Sequence, residues 1–376
     1  MLNVDSAIPY LLERGLIDPD WIINGDLTIR CAARRNRNLR IEGPSGAGFL
    51  IKQADELAHG GHLTLSNEAA FHEFCRHEPA VAQVTELVAG IAFRDRERSL
   101  HALELVVGAV SLRSYHCAQD ADGFPDGPSR ALGQALGTVH RVFRLPAFAE
   151  HPRLAWLRDH LPGALQQHRP SPATLATLSP AGARMLRILQ DHTDLGDQLD
   201  RLGSRWRPDT VIHGDIKSDN ILVRPVRQEP DDASVEVLIV DWEFVQIGDP
   251  AWDLAGALHD YLIFWTSSMP LGPTHSAEEM VDQARYPLEV LRPAIRAFWE
   301  GYLSTAEVGL SQADDLLRRA VLFSAARLIQ AAHELCVREE EILAQAVILM
   351  QISANLLAEP ESGQVHLYGV PLGTEP

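Results

Sequence analysis

The sequence predicts an α+β protein with two lobes, a small N-terminal lobe built on an antiparallel sheet and a larger C-terminal lobe that is mostly helical. Its 376 residues are enough for two domains or one large bilobal unit. Segments that alternate apolar and polar residues, as half-buried strands do, lie near the N-terminus, and apolar residues at helical spacing follow. We expect an N-lobe over residues 1–107, a helical C-lobe over 108–360 and an irregular tail over 361–376.

The N-lobe is expected to contain a short helix, a three-stranded meander and a longer helix. The short helix is expected near residues 7–14, ahead of Gly15. The three strands are expected over 27–31, 39–41 and 49–52, with turns between them. The longer helix should run from Ser66 to about Arg76. Two further apolar runs, at 81–88 and 103–107, are expected to complete the sheet.

The C-lobe is expected to consist of amphipathic helices and a few short strands. Ser179 is a favourable N-cap and Pro180 suits the first helical position, so a helix should begin there and continue to about residue 202. The other helices are expected over 129–143, 252–264, 287–303, 311–336 and 339–357. The strands are expected at 211–212, 220–223 and 235–240.

The positions of the two lysines suggest a functional site. Lys52 and Lys217 are the only lysines in the chain, and arginine supplies the other permanently basic side chains. Lysine carries a compact charge on a flexible stem, whereas arginine is a planar fork. A site that places one ammonium group among phosphate oxygens would tolerate the replacement of lysine by arginine poorly. The alternative is that a lysine-poor composition leaves two of them at arbitrary positions.

The segment 213–220, His-Gly-Asp-Ile-Lys-Ser-Asp-Asn, follows an expected strand and carries groups suited to phosphoryl transfer. Asp215 could accept a proton from a hydroxyl group. The amide oxygen of Asn220 could bind a hard cation such as Mg²⁺, and Asp241, at the end of a later strand, supplies a second oxygen ligand. A carboxylate, an amide and a lysine around Mg²⁺ and a triphosphate are what phosphoryl transfer requires.

Three motifs together resemble the aminoglycoside phosphotransferase and choline kinase-like family, which shares the bilobal protein-kinase fold. They are His-Gly-Asp-x-x-x-x-Asn at 213–220, Asp-Trp-Glu at 241–243 and Gly-Asp-Pro-Ala-Trp-Asp-Leu-Ala at 248–255. The resemblance extends over about residues 27–357, and only the motifs match strongly. It implies an ATP- and Mg²⁺-dependent kinase with an alcohol group as acceptor.

The resemblance also implies roles for the motif residues. Asp215 corresponds to the catalytic base, and Asn220 and Asp241 correspond to metal ligands. Asp253 corresponds to a buried aspartate that braces the catalytic loop, and we expect His213 to pack against or hydrogen-bond the metal loop. Lys217 would neutralise charge on the phosphoryl group in transit.

Lys52 corresponds to the strand lysine that holds the α- and β-phosphates, and such a lysine needs a glutamate partner on a helix. We expect Glu68 to be that partner, because it shares a helical face with Phe71 and should point inward. Glu56 and Glu73 are alternatives, and a solvent-facing Glu68 is the other interpretation.

The turn between the first two strands departs from the family pattern, because it has no glycine-rich sequence. It carries Arg34, Arg35 and Asn36 instead, and arginine forks can hold phosphate oxygens. This turn could grip ATP or an acidic substrate, or it could be a solvated hairpin tip. The altered turn is also the only support for an alternative function, a pseudokinase that binds nucleotide without catalysis.

The acceptor stays open at this stage. Lys217 gives the loop the Asp-x-Lys-x-x-Asn form of protein serine/threonine kinases, which favours a peptide hydroxyl, as in kinases that tailor ribosomal peptides. A peptide would need an open groove, for which the segments 152–202 and 267–286 are candidates. A small cationic acceptor, such as an aminoglycoside or amino alcohol, would need carboxylates, and Glu334 and residues 339–341 could contribute them.

Composition limits the remaining function classes. The net charge of −18 argues against a nucleic-acid partner, because phosphate backbones need a basic surface. The four cysteines show no CxxC or zinc spacing, which fits a reducing compartment. The apolar stretch 342–358 is interrupted by polar residues and predicts a buried helix rather than a membrane span. We expect a cytoplasmic protein with no membrane partner.

Overall fold

A computed structural model describes residues 2–31, 37–54, 61–118, 124–149, 151–225, 234–271 and 276–372. The chain divides into two compact units. Unit 1 comprises Met1–Ser111, Glu150–Leu157 and Asn220–Val245, and unit 2 comprises Leu112–Ala149, Arg158–Asp219 and Gln246–Pro376. The lobe boundaries expected from the sequence stay a prediction.

The strands, in chain order through the described residues, belong to three antiparallel sheets. They are β1 Thr28–Cys31, β2 Arg37–Glu42, β3 Gly48–Gln53, β4 Ile91–Asp95, β5 Leu100–Glu104, β6 Val110–Ser111, β7 Thr210–Ile212, β8 Ile221–Pro225, β9 Val235–Ile239 and β10 Gln246–Gly248. Unit 1 holds a five-stranded sheet in the order β1-β2-β3-β5-β4 and a three-stranded sheet in the order β6-β8-β9. In unit 2, β7 pairs with β10.

The α-helices of the described residues are divided between the two units and make up most of unit 2. In chain order they are α1 Val4–Glu13, α2 Pro19–Ile23, α3 Gly61–His77, α4 Ala82–Thr85, α5 Leu112–Cys117, α6 Gly127–Phe143, α7 Pro146–Ala149, α8 Pro172–Leu175, α9 Pro180–Asp191, α10 Thr193–Ser204, α11 Pro250–Ser267, α12 Ala277–Asp282, α13 Leu288–Ala306, α14 Leu310–Leu335, α15 Ala344–Ala358 and α16 Pro360–His366.

The five-stranded sheet of unit 1 has one face in an apolar cluster and an opposite face that carries Lys52. Ile51 of β3 is buried with Leu11 of α1, Ile41 and Ala102 in one apolar cluster. Because successive side chains of a strand point to opposite faces, Lys52 faces away from that cluster. In the pairing of β3 with β5, Lys52 lies opposite His101. The meander of three strands agrees with the sequence prediction.

Unit 2 depends on close helix packing. A Cβ atom placed on Gly133 of α6 would lie 2.0 Å from the carbonyl oxygen of Phe298 in α13. A Cβ atom on Gly301 of α13 would lie 2.2 Å from the carbonyl oxygen of Arg130 in α6. Only glycine therefore allows these two backbones to approach so closely. Helix α11 packs against α14, and α14 packs against α15.

Three expectations about secondary structure are wrong. Residues 81–88 are not a strand: a 3-10 turn, Pro79–Val81, leads into α4. The helix expected from Pro180 to residue 202 is two helices, because His192 leaves helical geometry at ψ 76°. The tail expected to be irregular from residue 361 begins inside α16, Pro360–His366, where Pro360 takes the favoured first helical position.

Candidate active-site residues of the two units

In unit 1, Lys52 lies at the centre of a buried cluster of charges. Its Nζ donates hydrogen bonds to Glu68 Oε1 at 2.7 Å and Oε2 at 2.9 Å. It also donates to Asp241 Oδ1 at 2.5 Å. Lys52 is only 3% exposed. The structure thus pairs Lys52 with Glu68, as the sequence predicts, while Glu73 pairs with Arg94 instead.

The charges of this cluster stabilise one another. Burial by itself would lower the pKa of Lys52, but the carboxylates of Glu68 and Asp241 outweigh it and hold that pKa above its ordinary value. Burial would raise the pKa of Glu68, yet Lys52 and His101 hold it below its ordinary value. Both groups are therefore ionised at neutral pH, and Lys52 presents a fixed positive charge.

Glu68 also ties helix α3 to the segment that follows β9. Its Oε1 accepts a hydrogen bond from the backbone N–H of Trp242 at 3.1 Å. Its Oε2 lies 3.1 Å from His101 Nε2. The indole of Trp242 stacks on Phe71, three residues after Glu68 on α3, with ring centroids 4.3 Å apart. Glu68 and Phe71 together fix the position of the residue beside Asp241.

Asp241 adopts a left-handed backbone conformation, φ 70° and ψ 51°, at the start of the 3-10 turn Trp242–Phe244. Such a conformation is uncommon outside glycine, although aspartate tolerates it better than most residues. The N–H of the preceding Val240 donates to the carbonyl oxygen of Asn220 at 2.9 Å. Asn220 therefore lies beside the strand end that carries Asp241.

The donor types of Asp241 and Asn220 fit a Mg²⁺ ion. One carboxylate and one amide oxygen are hard ligands, and Mg²⁺ is commonly held by one or two protein carboxylates together with substrate phosphates. Among the residues that the structure describes, no group of three His, Cys, Asp or Glu side chains could hold a metal ion. These two residues are the ones we assign to the metal as candidates.

In unit 2, Asp215 is held between two cations. Lys217 Nζ donates to Asp215 Oδ2 at 2.5 Å, and Arg327 Nη2 of α14 donates to Asp215 Oδ1 at 3.1 Å. Burial would raise the pKa of Asp215, but Arg327, Lys217 and then His213 hold it below its ordinary value. Asp215 is thus an ionised carboxylate at neutral pH, which a proton acceptor must be.

Asp253, in the first turn of α11, holds the loop that carries Asp215. It is fully buried and accepts hydrogen bonds from the backbone N–H of His213 at 2.7 Å and of Gly214 at 2.9 Å. Its Oδ2 also lies 3.2 Å from His140 Nε2. Gly214 has φ 83°, a conformation that favours glycine. The geometry agrees with the bracing position expected for Asp253.

His213 and Asp260 complete the support of this loop. The backbone N–H of Asp215 donates to His213 Nδ1 at 3.1 Å, so His213 hydrogen-bonds within the loop. The backbone N–H of Ser218 donates to Asp260 Oδ2 of α11 at 2.8 Å. Burial raises the pKa of Asp260 despite the hydrogen bonding from Ser218.

Sequence reasoning missed Arg327, His101 and Asp260. Arg327 is a charged residue inside an otherwise apolar stretch of α14, 5% exposed, and that contrast was the available signal. His101 became relevant only through the register that sets it opposite Lys52. For Asp260 we find no comparable signal in the sequence.

The remaining candidate residues either lie outside the described residues or are exposed on the surface. Arg34, Arg35 and Asn36 lie outside the described residues, as does Glu56. Glu334 is exposed and accepts a hydrogen bond from Gln330. Glu341 is exposed and forms an ion pair with Arg184.

No helix in the described ranges is both long enough and apolar enough to cross a membrane.

Comparison with known proteins decides the family. The model of the phosphotransferase enzyme family, APH, matches residues 36–286, which is more than half of the chain. The chain belongs to this phosphotransferase enzyme family. The family expected from the three motifs is thereby confirmed, and the protein is a phosphotransferase that acts on a hydroxyl acceptor.

Solved structures similar to the phosphotransferase include three kinases. A Plasmodium vivax ethanolamine kinase has a TM-score of 0.54 at 14% identity, covering 94% of this chain and 89% of that chain. An amicoumacin kinase in complex with AMP-PNP, Ca²⁺ and Ami has a TM-score of 0.54 at 13% identity, covering 94% and 93%. A choline kinase from Cryptosporidium parvum has a TM-score of 0.54 at 9% identity, covering 98% and 99%.

At these identities the likeness shows the fold alone, and it confirms the expected α+β fold of the protein-kinase type. No curated protein matches the phosphotransferase significantly in sequence.

Proposed function

We propose that this phosphotransferase transfers the γ-phosphoryl group of ATP to a serine or threonine hydroxyl of a peptide, in the tailoring of a ribosomal peptide. The observation that carries the proposal is the ion pair of Lys217 with Asp215, with 2.5 Å between Nζ and Oδ2. A lysine placed two residues after the proton acceptor and bonded to it is the arrangement that the Asp-x-Lys-x-x-Asn motif implies.

Unit 1 is proposed to bind the nucleotide through Lys52. Its charge is fixed by Glu68 and Asp241, so it suits the α- and β-phosphates of ATP. Asp241 and Asn220 would hold Mg²⁺, which when bound would neutralise charge on the phosphates. We also propose that Arg34, Arg35 and Asn36 bind ATP or an acidic part of the substrate, because the two arginines are positively charged and the asparagine amide can donate hydrogen bonds.

Unit 2 is proposed to act on the acceptor through Asp215. The acceptor oxygen forms a bond to the γ-phosphorus, and the bond from that phosphorus to the β,γ-bridging oxygen breaks. ADP leaves with the electron pair, and the hydroxyl proton passes to the carboxylate of Asp215. Lys217 would then balance charge on the phosphoryl group, for which its side chain, 35% exposed, has room to turn.

A second candidate acceptor is a small cationic molecule with a hydroxyl group, such as an aminoglycoside or amino alcohol. The acidic balance of the chain, −18, favours it, because a negative surface attracts cations. The exposed carboxylates of Glu334 and residues 339–341 are the candidate contacts in unit 2. We further propose that the reaction takes place in the cytoplasm, where the free cysteines of the chain would stay reduced.

Labelled phosphate transfer tests both acceptors. The enzyme is incubated with γ-labelled ATP and Mg²⁺, first with a pool of serine- and threonine-containing peptides and then with aminoglycosides and amino alcohols. The proposal predicts label on peptide hydroxyls, and mass spectrometry identifies the residue. Label on the small molecules alone would overturn the peptide assignment. The Asp215→Asn variant serves as the blank, because it should transfer no label to either pool.

A further inference from the structure

Arg327 contacts the proposed proton acceptor from a helix that lies far away in the sequence. Its Nη2 donates to Asp215 Oδ1 at 3.1 Å and to the carbonyl oxygen of Ile216 at 3.3 Å. The side chain is 5% exposed, so these bonds form out of water. A charge-assisted hydrogen bond in such surroundings is stronger than one on the surface.

A second set of contacts fixes the guanidinium group itself. It lies over the indole ring of Trp252, with its central carbon 5.4 Å from the ring centroid. Trp252 Nε1 in turn donates to the carbonyl oxygen of Gly214 at 3.0 Å. Arg327 and Trp252 thus hold the loop on both sides of Asp215. A planar fork suits this stacked position, and lysine would not reproduce it.

The two oxygens of Asp215 differ because their cations differ. Arg327 on Oδ1 is buried and always charged. Lys217 on Oδ2 is 35% exposed, on a flexible stem. Lys217 can leave its oxygen by rotating into solvent or towards a phosphate, whereas Arg327 is confined.

We propose that Arg327 is a positioning residue for phosphoryl transfer, which holds Oδ1 of Asp215 and so keeps the carboxylate ionised and in place to receive the acceptor's proton. The inference rests on the proposed function and deepens it. When Lys217 turns to the phosphoryl group, Arg327 still holds the carboxylate of Asp215.

The charged and titratable groups around Asp215 allow a specific test. They are Arg327 on α14, Lys217 and His213 on the loop, and His259 on α11. Arg327 and Lys217 both lower the pKa of Asp215 against the effect of burial. Removal of the Arg327 guanidinium should therefore raise that pKa.

Arg319 offers a matched control on the same helix. It is also buried, 7% exposed, and it also binds a buried aspartate, with Nε 3.1 Å from Asp249 Oδ2. It precedes Arg327 by eight residues, about 12 Å along the helix axis. Arg319→Met should therefore disturb the helix to a similar degree without changing the ionisation of Asp215.

The pKa of Asp215 can be measured by NMR titration of the full chain labelled with ¹³C at aspartate carboxyl carbons, with Asp215→Asn to assign the resonance. We expect that pKa to rise in Arg327→Met, to rise less in Arg327→Lys, and to stay at the wild-type value in Arg319→Met. An unchanged pKa in both Arg327 variants, or an equal rise in Arg319→Met, would overturn the proposal.

Steady-state turnover of ATP in the presence of Mg²⁺ completes the test. Arg327→Met should lower kcat about tenfold to a hundredfold with KM for ATP within about a factor of two, and its loss of activity at acid pH should begin at higher pH. Equal kcat and pH profile in Arg327→Met and wild type would refute this inference alone. Normal turnover by Asp215→Asn would refute the proposed function as well.

Discussion

The two lysines of this phosphotransferase are set in contrasting surroundings. Lys52 in unit 1 is 3% exposed and binds the carboxylates of both Glu68 and Asp241. Lys217 in unit 2 has a side chain that is 35% exposed, and it shares one carboxylate, Asp215, with Arg327. The first lysine is part of the folded core, whereas the second is partly exposed on a flexible stem.

This difference teaches how one type of side chain can serve two purposes. A buried ammonium between two carboxylates is a fixed charge, useful for holding a substrate in one orientation. An ammonium on the rim of a loop, with its carboxylate already held by arginine, is free to follow a group that moves. Mutations should therefore affect stability most in unit 1 and turnover most in unit 2.

The largest effect is expected from Asp215→Asn. The amide cannot accept the acceptor's proton, so kcat should fall by about a hundredfold to ten-thousandfold. Steady-state transfer from ATP to an accepted hydroxyl is the measurement, and Asp314→Asn, at an exposed position of α14, is the control. A kcat for Asp215→Asn close to that of the control would show that another group takes the proton.

The next effect concerns the stability of unit 1. Glu68→Gln leaves the buried Lys52 ammonium with one neighbouring carboxylate, that of Asp241, instead of two. Breaking a buried ion pair costs about 3 kcal/mol. Chemical denaturation should show that loss. Glu73→Gln on the same helix is the matched control, because Glu73 is 34% exposed and pairs with Arg94 near the surface, where an ion pair contributes about 1 kcal/mol at most. Equal losses for the two variants would contradict the comparison.

His72, on the same helix, should make unit 1 sensitive to acid. Burial lowers the pKa of His72 from 6.5 to about 4, so the unfolded chain binds the proton more readily than the folded one. Stability is therefore complete above pH 6.5 and falls as the pH drops towards 4, by up to about 3 kcal/mol for this group.

Replacing His72 tests this dependence. Denaturation at pH 7 and at pH 5 should show a smaller acid-induced loss in His72→Phe than in the wild type. The exposed His77 at the end of the same helix provides the control, His77→Gln, which should keep the wild-type dependence. The origin assigned to the acid sensitivity would be wrong if His72→Phe and wild type lost the same amount.

The smallest effect on stability is expected from Lys217→Met. A partly exposed ion pair contributes about 1 kcal/mol or less, and Asp215 keeps its bond to Arg327. Thermal unfolding should show a Tm close to that of the wild type. A loss as large as that of Glu68→Gln would mean that Lys217 is a structural residue.

Much of the candidate site could be predicted from the sequence because its residues lie in short, ordered motifs. Asp215, Asn220 and Asp241 come at strand ends. The family resemblance implied a helix glutamate as partner of Lys52, and helical periodicity favoured Glu68 for it. Arg327 could not be found in this way, because it lies 112 residues from Asp215 in the chain. Its contact depends on how α14 packs, which no local pattern encodes.

The errors in the fold have similar physical causes. The apolar run at 81–88 fits a buried strand or a short helix equally well, and the proline that begins the turn at Pro79 favours the helix. The continuous pattern from Pro180 to residue 202 hides a break at His192, because two consecutive helices can share one apolar face. The meander was predictable because alternation and turn residues agree there.

The contrast between the two lysines can be measured directly by comparing Lys52→Met and Lys217→Met for ATP affinity, by calorimetry with Mg²⁺, and for kcat. We predict that Lys52→Met binds ATP at least tenfold more weakly (about 1.4 kcal/mol), whereas Lys217→Met keeps wild-type affinity and loses turnover. Wild-type ATP affinity in Lys52→Met, or wild-type kcat in Lys217→Met, would contradict the account.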